Sequence, residues 1–566
     1  MSIKSATKPN RLDKEVYISR QFMRSVRLDT DIGREDALTG YVCQRTARYL
    51  LENMAEQILN TKQRAFTWTG PYGGGKSSLA LMLCSLVGKT TSLRTKAKEI
   101  LDLPKSSPIL ECFAAEQDGW EVIPIVGSRT GIHETLVAKI LGPNTKKRLS
   151  ASELAAKIAA KAENHAQGVL LIIDELGKFL ESTAQSPEND IYIFQELAEA
   201  ASRSSGKLVI VGILHQSFEA YANRLNSEVR DEWAKIQGRY VDIPLVTATD
   251  EMVELIGKAI STYEGYEKDD ISVLSHLVGS SIRQRRPGTA TSIDTGLSKC
   301  WPLHPATAAI LGPISKRKFG QNERSTFGFL SSREPLGFTE YLHGTVNRRE
   351  LYTPAMYWDY LRANLEPAIL ASPDGHKWAT GVDAVERAES KGKKIHVDIA
   401  KTVALLEMFR SGSGLAAEES IIVSSINAAD EREVIISLND LISWRILVER
   451  KHLGAFGVYA GSDFDIEAAI SEAKAKNSPD IVKQVIKLAN LQPVLAKRFY
   501  AEKGAMHWLD RRIVLLSDIA LNQVLVTQSK NSLGEFILCL TTESKDSESV
   551  VSLLTKASQD NYTNNI

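Results

Sequence analysis

The sequence predicts an α/β fold: a parallel sheet covered by helices, then a mainly helical region, a three-helix module with a β-hairpin, and a small α/β segment. Three observations carry this. A glycine-rich stretch, Gly70-Pro-Tyr-Gly-Gly-Gly-Lys-Ser77, sits between a short apolar run and an apolar helix. The unbroken apolar run 169–173 ends in the acid pair Asp174-Glu175. A further apolar run, 207–214, ends in His215-Gln216-Ser217. Runs this apolar suit strands covered on both faces, and their alternation with helical segments is that of a doubly wound sheet.

Residues 65–69 read as the first strand, and 77–87 as a helix built on Leu79, Leu81, Met82, Leu83 and Leu86. Between them the chain fits G-x-x-x-x-G-K-[ST]. Such a loop turns its backbone N–H groups around phosphate oxygens, and the helix N-terminus adds partial positive charge. Gly70, Tyr72, Gly73, Gly74, Gly75 and Ser78 are the expected cradle. Lys76 is expected on the β- and γ-phosphates and Ser77 on magnesium. The expected cofactors are therefore ATP and Mg²⁺.

A strand's acidic C-terminal end emerges where α/β sheets bind ligands. Asp174 then suits the metal's bound water, and Glu175 suits activation of the attacking water. Taken alone, the pair could equally be a strand followed by an acidic helix cap. Residues 120–126 supply another strand, and 41–60 a helix with Leu50, Leu51, Met54 and Ile58 on one face.

The stretches GPYGGGKSSLA, LLIIDELGKFLE and WPLHPATAAILGPISKRKFGQNERSTFGFLSS resemble the AAA+/STAND division of P-loop ATPases. Together they look like large bacterial ATPases of phage-defence operons, BREX-type systems included, over roughly residues 40–510. The resemblance implies a P-loop ATPase core with a helical lid, coupling ATP hydrolysis to assembly or conformational change in an antiphage complex. It implies further copies of the chain, an effector protein and DNA as partners. In additional-strand P-loop ATPases the strand after the acidic one ends in a polar γ-phosphate sensor. His215 or Gln216 fits, and Gln216 is preferred because it stays neutral and both donates and accepts. An arginine commonly completes the site. Arg324 (QNERS) and Arg239 (QGRYVDIPL) are the candidates, and the sequence does not choose between them. A nucleotide-gated scaffold and a DNA-handling ATPase of a mobile element are the alternatives.

With 566 residues the chain exceeds one hydrophobic core. Lys+Arg and Asp+Glu number 69 each, which argues against a coat of basic residues for indiscriminate nucleic-acid binding. Five scattered cysteines show neither zinc spacing nor a disulfide framework. No signal-like or membrane-length apolar stretch is visible, so the expectation is a cytoplasmic protein without membrane contact.

The expected organisation is an N-terminal extension (1–40), the ATPase core (41–250), a helical lid and insertion (251–392), a winged-helix-like domain (393–475) and a C-terminal α/β segment (476–566). Within the lid, SIRQRRP at 281–287 reads as a basic loop or a mobile insertion. The winged helix is expected as helices 399–409, 418–426 and 432–443 with strands 445–449 and 455–459. Its third helix is poor in Arg and Lys, which favours packing on protein over reading DNA. Strands 513–517, 523–527 and 535–540 with helices 479–488 and 547–557 read as the opening of a domain whose next strand is missing. Either the chain is a fragment or a partner covers the edge.

Overall fold

The computed structural model describes residues 11–22, 26–71, 73–114, 118–128, 131–142, 149–185, 191–222, 227–317, 326–427 and 430–460, and, further on, mainly 491–496, 507–515 and 534–540. The chain divides into two compact units, Met1–Ala460 and Gly461–Ile566. Its described strands are β1 (Val16–Ile18), β2 (Ala65–Thr69), β3 (Glu121–Val126), β4 (Val169–Asp174), β5 (Leu208–Leu214), β6 (Val241–Pro244), β7 (Ile260–Thr262), β8 (Leu447–Arg450), β9 (Ala455–Val458), β10 (Val494–Leu495), β11 (Trp508–Leu515) and β12 (Gly534–Leu540).

The first unit is built on a parallel sheet in the order β3-β4-β5-β2-β6. The acid-bearing β4 is thus separated from the loop-bearing β2 by β5, the additional strand. Every residue of β4 and β5 is buried. Period-two alternation divides their side chains between two apolar layers. Leu170, Ile172, Val209 and Val211 face Leu50, Met54 and Leu83, while Leu171, Ile173 and Ile210 share a layer with Leu154, Ile158 and Leu197. Burying side chains of this size stabilises by about 1.5–3 kcal/mol each. The register pairs Val126 with Asp174 and Thr69 with Leu214, so the loops after these strands leave one edge together.

Past β6 the chain becomes helical, and the lid and winged helix share one apolar cluster. Trp358 and Trp378 stack inside it at 4.1 Å. The winged helix consists of helices Lys394–Ser413, Glu419–Ser425 and Glu431–Ser443 and the antiparallel hairpin β8–β9. Phe456 N–H donates to the Ala417 carbonyl (2.8 Å), adding a short third edge to the hairpin. β8 begins at Leu447, two residues later than expected, because Arg445 takes a left-handed turn (φ +54°) out of the preceding helix.

The SIRQRRP stretch is not a loop. Ser281 to Arg285 finish the helix Ser272–Arg285, with Ile282 buried. Arg283 is held by Asp294, and Arg285 by Glu418 and the Leu453 carbonyl. Tertiary carboxylates, invisible in a local reading, engage these cations: Asp294 within the lid for Arg283, and Glu418 across to the winged helix for Arg285.

The segment before residue 41 packs onto both the lid and the sheet. Antiparallel pairing of β1 with β7 ties it to the lid, and Leu12 and Val16 enter the lid cluster. Leu28 and Leu38 enter the sheet's apolar layer. In the second unit β11 pairs antiparallel with β10 and parallel with β12. β11 starts at Trp508, ahead of the expected 513. The expected strand 523–527, and most of helices 479–488 and 547–557, lie outside the described residues.

Candidate active site

The phosphate loop follows β2 as its residue types require. Gly73 (φ +68°) and Gly75 (φ +79°) adopt left-handed conformations open to glycine at little cost, and Gly75 caps the helix Lys76–Val87. A Cβ on Gly70 would stand 2.3 Å from the Leu245 carbonyl oxygen, so the loop's start is pressed against the chain leaving β6. Lys76 is 4 % exposed, and its Nζ donates to the carbonyls of Gly70 (2.6 Å) and Pro71 (2.7 Å). Tyr72 lies outside the described residues.

Across the additional strand, Asp174 ends β4 buried. Burial raises its carboxyl above the usual range. A hydrogen bond from Ser77, the Glu175 N–H and the charge of Lys76 oppose that rise, while the charge of Glu175 adds to it. The Glu175 N–H donates to Asp174 Oδ1 at 2.9 Å. Glu175 sits at φ +52°, uncommon for a side chain with a Cβ and a kind of strain found at functional sites. Its carboxylate pairs with Lys178 Nζ at 2.5 Å.

These groups line one cavity of about 830 Å³, which also holds Gly73, Gly74, Gly75 and Ser78. Tyr41, Val42, Gln44 and Ala47 wall one side. The helix Arg45–Asn60 starts later than the expected 41 because Thr46 is anchored, N–H and hydroxyl both, on the Glu251 carboxylate. That leaves 41–44 extended against the cavity. The lid contributes Met252, Leu255, Phe327 and Ser331.

Of the two residues weighed as sensor at the end of β5, His215 lines the cavity, while Gln216, next along the chain, is not among its walls. Arg239 precedes β6, at the sheet edge opposite the loop, since Phe66 pairs with Val241. There its guanidinium bonds Glu199 (3.2 Å) and the Lys235 carbonyl. Arg324 lies outside the described residues. Local sequence gave no sign of two cations that do line the cavity, Arg27 and Lys178. Arg27 lies in RSVRLD, too short a stretch to interpret, and Lys178 reads as an ordinary polar helix position.

The residues fit Mg·ATP. The cradle is a turn of left-handed glycines at a helix N-terminus, with a buried lysine, and a hydroxyl facing a carboxylate supplies hard oxygen donors suited to magnesium. Among the described residues, no helix is long and apolar enough to cross a membrane.

No family model matches the chain, and no curated protein matches it. Solved structures similar to it include Cdc6p from Pyrobaculum aerophilum (14 % identity, 78 % of this chain and 98 % of that one, TM-score 0.29). Others are the Aeropyrum pernix ORC1 protein in complex with DNA (12 %, 83 % and 99 %, 0.27) and AMPPCP-bound DnaA from Aquifex aeolicus (10 %, 75 % and 96 %, 0.24). Similarity at this level carries no argument by itself. The fold rests on the strand order and the loop.

Proposed function

We propose that the chain is an ATPase that binds Mg·ATP and uses its hydrolysis to change conformation or assembly. The observation that carries this is that Lys76, Ser77, Asp174 and Glu175 line one cavity with Gly73, Gly74 and Gly75, the lysine and Asp174 both buried. In this reading the Ser77 hydroxyl, at the end of the loop, and the Asp174 carboxylate are the metal's protein-side groups. Bound magnesium would neutralise phosphate charge. Lys76 would exchange its loop carbonyls for β- and γ-phosphate oxygens, Ser77 and Asp174 would hold the metal and its water, and Glu175 would draw a proton from the attacking water. Gln216, or the cavity-facing His215, would sense the γ-phosphate.

Arg239 points away from its own site, so in this reading it acts on a neighbouring copy, and Arg324 stays the lid's candidate. Further copies, an effector and DNA are the proposed partners, and the antiphage setting rests on the motif resemblance. The acidic third helix of the winged helix, with Glu431, Glu433 and Asp440, supports protein packing over DNA reading. The Glu175–Lys178 pair supports a second reading, a nucleotide-gated scaffold of slow turnover.

The test is Glu175→Gln, expected to retain ATP binding while losing turnover by at least about 100-fold. Lys76→Ala should lose binding itself. A wild type that takes up no nucleotide in calorimetry sinks the proposal. Turnover that stays negligible with DNA and partners present moves it to the scaffold reading.

A further inference from the structure

The described residues on either side of 23–25 are anchored to the lid and to the core. On the lid side, Ser19 N–H donates to the Ala259 carbonyl (2.9 Å), and Phe22 packs against Phe327 with ring centroids 5.2 Å apart. On the core side, Leu28 is fully buried in the layer that also holds Leu79 and Leu83. Between these points Val26 and Arg27 line the same cavity as Lys76 and Glu175.

Arg27 is set there with some care. Its backbone N–H donates to Asp31 Oδ2 (2.9 Å), which fixes the turn carrying it. Its guanidinium forms a two-point pair with Asp29, Nε to Oδ1 at 3.2 Å and Nη2 to Oδ2 at 2.8 Å. The hydrogen bonds and charge of Asp29 favour the guanidinium's charged form, and the charge of Glu175 adds to them. Arg27 and Glu175 line the same cavity.

Among the described residues, the cavity's lysines and arginines are Lys76, Lys178 and Arg27. Lys76 belongs to the loop, and Lys178 is engaged by Glu175. Arg27 alone of the three comes from the chain before β2. A guanidinium fork that grips a carboxylate at two points grips two phosphate oxygens in the same way, and a terminal phosphate offers more charge than Asp29 does.

We propose that Arg27 reads the terminal phosphate of the bound nucleoside triphosphate from within its own chain, and that Asp29 holds the side chain until that phosphate displaces it. The inference rests on the ATPase reading and adds to it a discriminator between triphosphate and diphosphate. Because Arg27 lies on a strap paired to the lid through β1 and β7, loss of the terminal phosphate would release one of the strap's points of attachment to the core.

Calorimetry on the full chain with Mg²⁺, using ADP and a non-hydrolysable ATP analogue, tests it. Arg27→Ala should weaken the analogue about tenfold or more while ADP changes less than about twofold. Arg27→Lys should recover part of the loss, and Asp29→Asn should tighten the analogue without affecting ADP. An equal loss for both nucleotides, or no loss for either, overturns the proposal and leaves the ATPase reading standing. Should Arg27→Ala fail to fold, Asp29→Asn decides: an unchanged analogue-to-ADP ratio is a refutation. A wild type that binds neither nucleotide removes both readings together.

Discussion

Gly127 and Glu175 meet backbone to backbone: a Cβ on Gly127 would stand 2.2 Å from the Glu175 carbonyl oxygen. The Gly127 N–H also donates to the Asp174 carbonyl at 2.8 Å, continuing the β3–β4 ladder past its last paired residues. The left-handed turn that presents Glu175 is thus seated on a position where only hydrogen fits. Gly127→Ala should displace the acid without touching the phosphate loop. Misplacement by about 1 Å can cost on the order of 100-fold in rate. The expected result is that fall in kcat with the Kd of a non-hydrolysable analogue within a few fold; a matching loss of affinity would mean that the loop had moved too.

Lys178 holds the Glu175 carboxylate from one helical turn away, with the lysine side chain 52 % exposed. Exposed pairs contribute about 0.2–1 kcal/mol, so freeing the acid can raise turnover by no more than about fivefold. Lys178→Met is expected to raise kcat by up to that factor with KM for ATP little changed. A fall in kcat/KM would assign Lys178 to the phosphates instead.

Asp174 is buried, and burial holds its carboxyl above the usual range. A raised carboxyl favours folding only while protonated, and that contribution is lost as pH rises through the folded value. At neutral pH the ionised group is therefore a cost to the nucleotide-free protein. Asp174→Asn should raise the melting midpoint of that protein by a few degrees while abolishing magnesium-dependent turnover. A melting point that falls would show that the Ser77 hydrogen bond outweighs the burial.

His304 is buried at the N-cap of the lid helix Pro305–Ser315, its Nδ1 accepting from the Ala306 N–H at 3.1 Å. Burial pushes its imidazole down to about 4, which the Ser424 backbone offsets only in part. The unfolded chain takes up this proton near pH 6.5, the folded chain near 4, so stability is lost as pH falls through that interval. The full loss is on the order of 3 kcal/mol. Denaturant midpoints between pH 7 and 4 should show the decline. In His304→Gln it should be shallower by this amount.

The sequence alone determined the strands β2 to β5, the glycine-rich loop and the acid pair, because each is a local pattern. Unbroken apolar runs have few other places to go than a sheet covered on both faces, and Gly70 to Ser77 needs its glycines wherever it lies in the chain. Tertiary structure alone decided what surrounds them. It put β5 between β4 and β2, set His215 rather than Gln216 on the cavity wall, turned Arg239 to the far edge, and paired Arg283 and Arg285 with Asp294 and Glu418. It also set Arg27 on the cavity wall and paired β1 with β7, residues more than two hundred positions apart. Partner choices of that kind depend on which charges and edges the folded chain brings close, and nothing in the spacing of neighbouring residues records them.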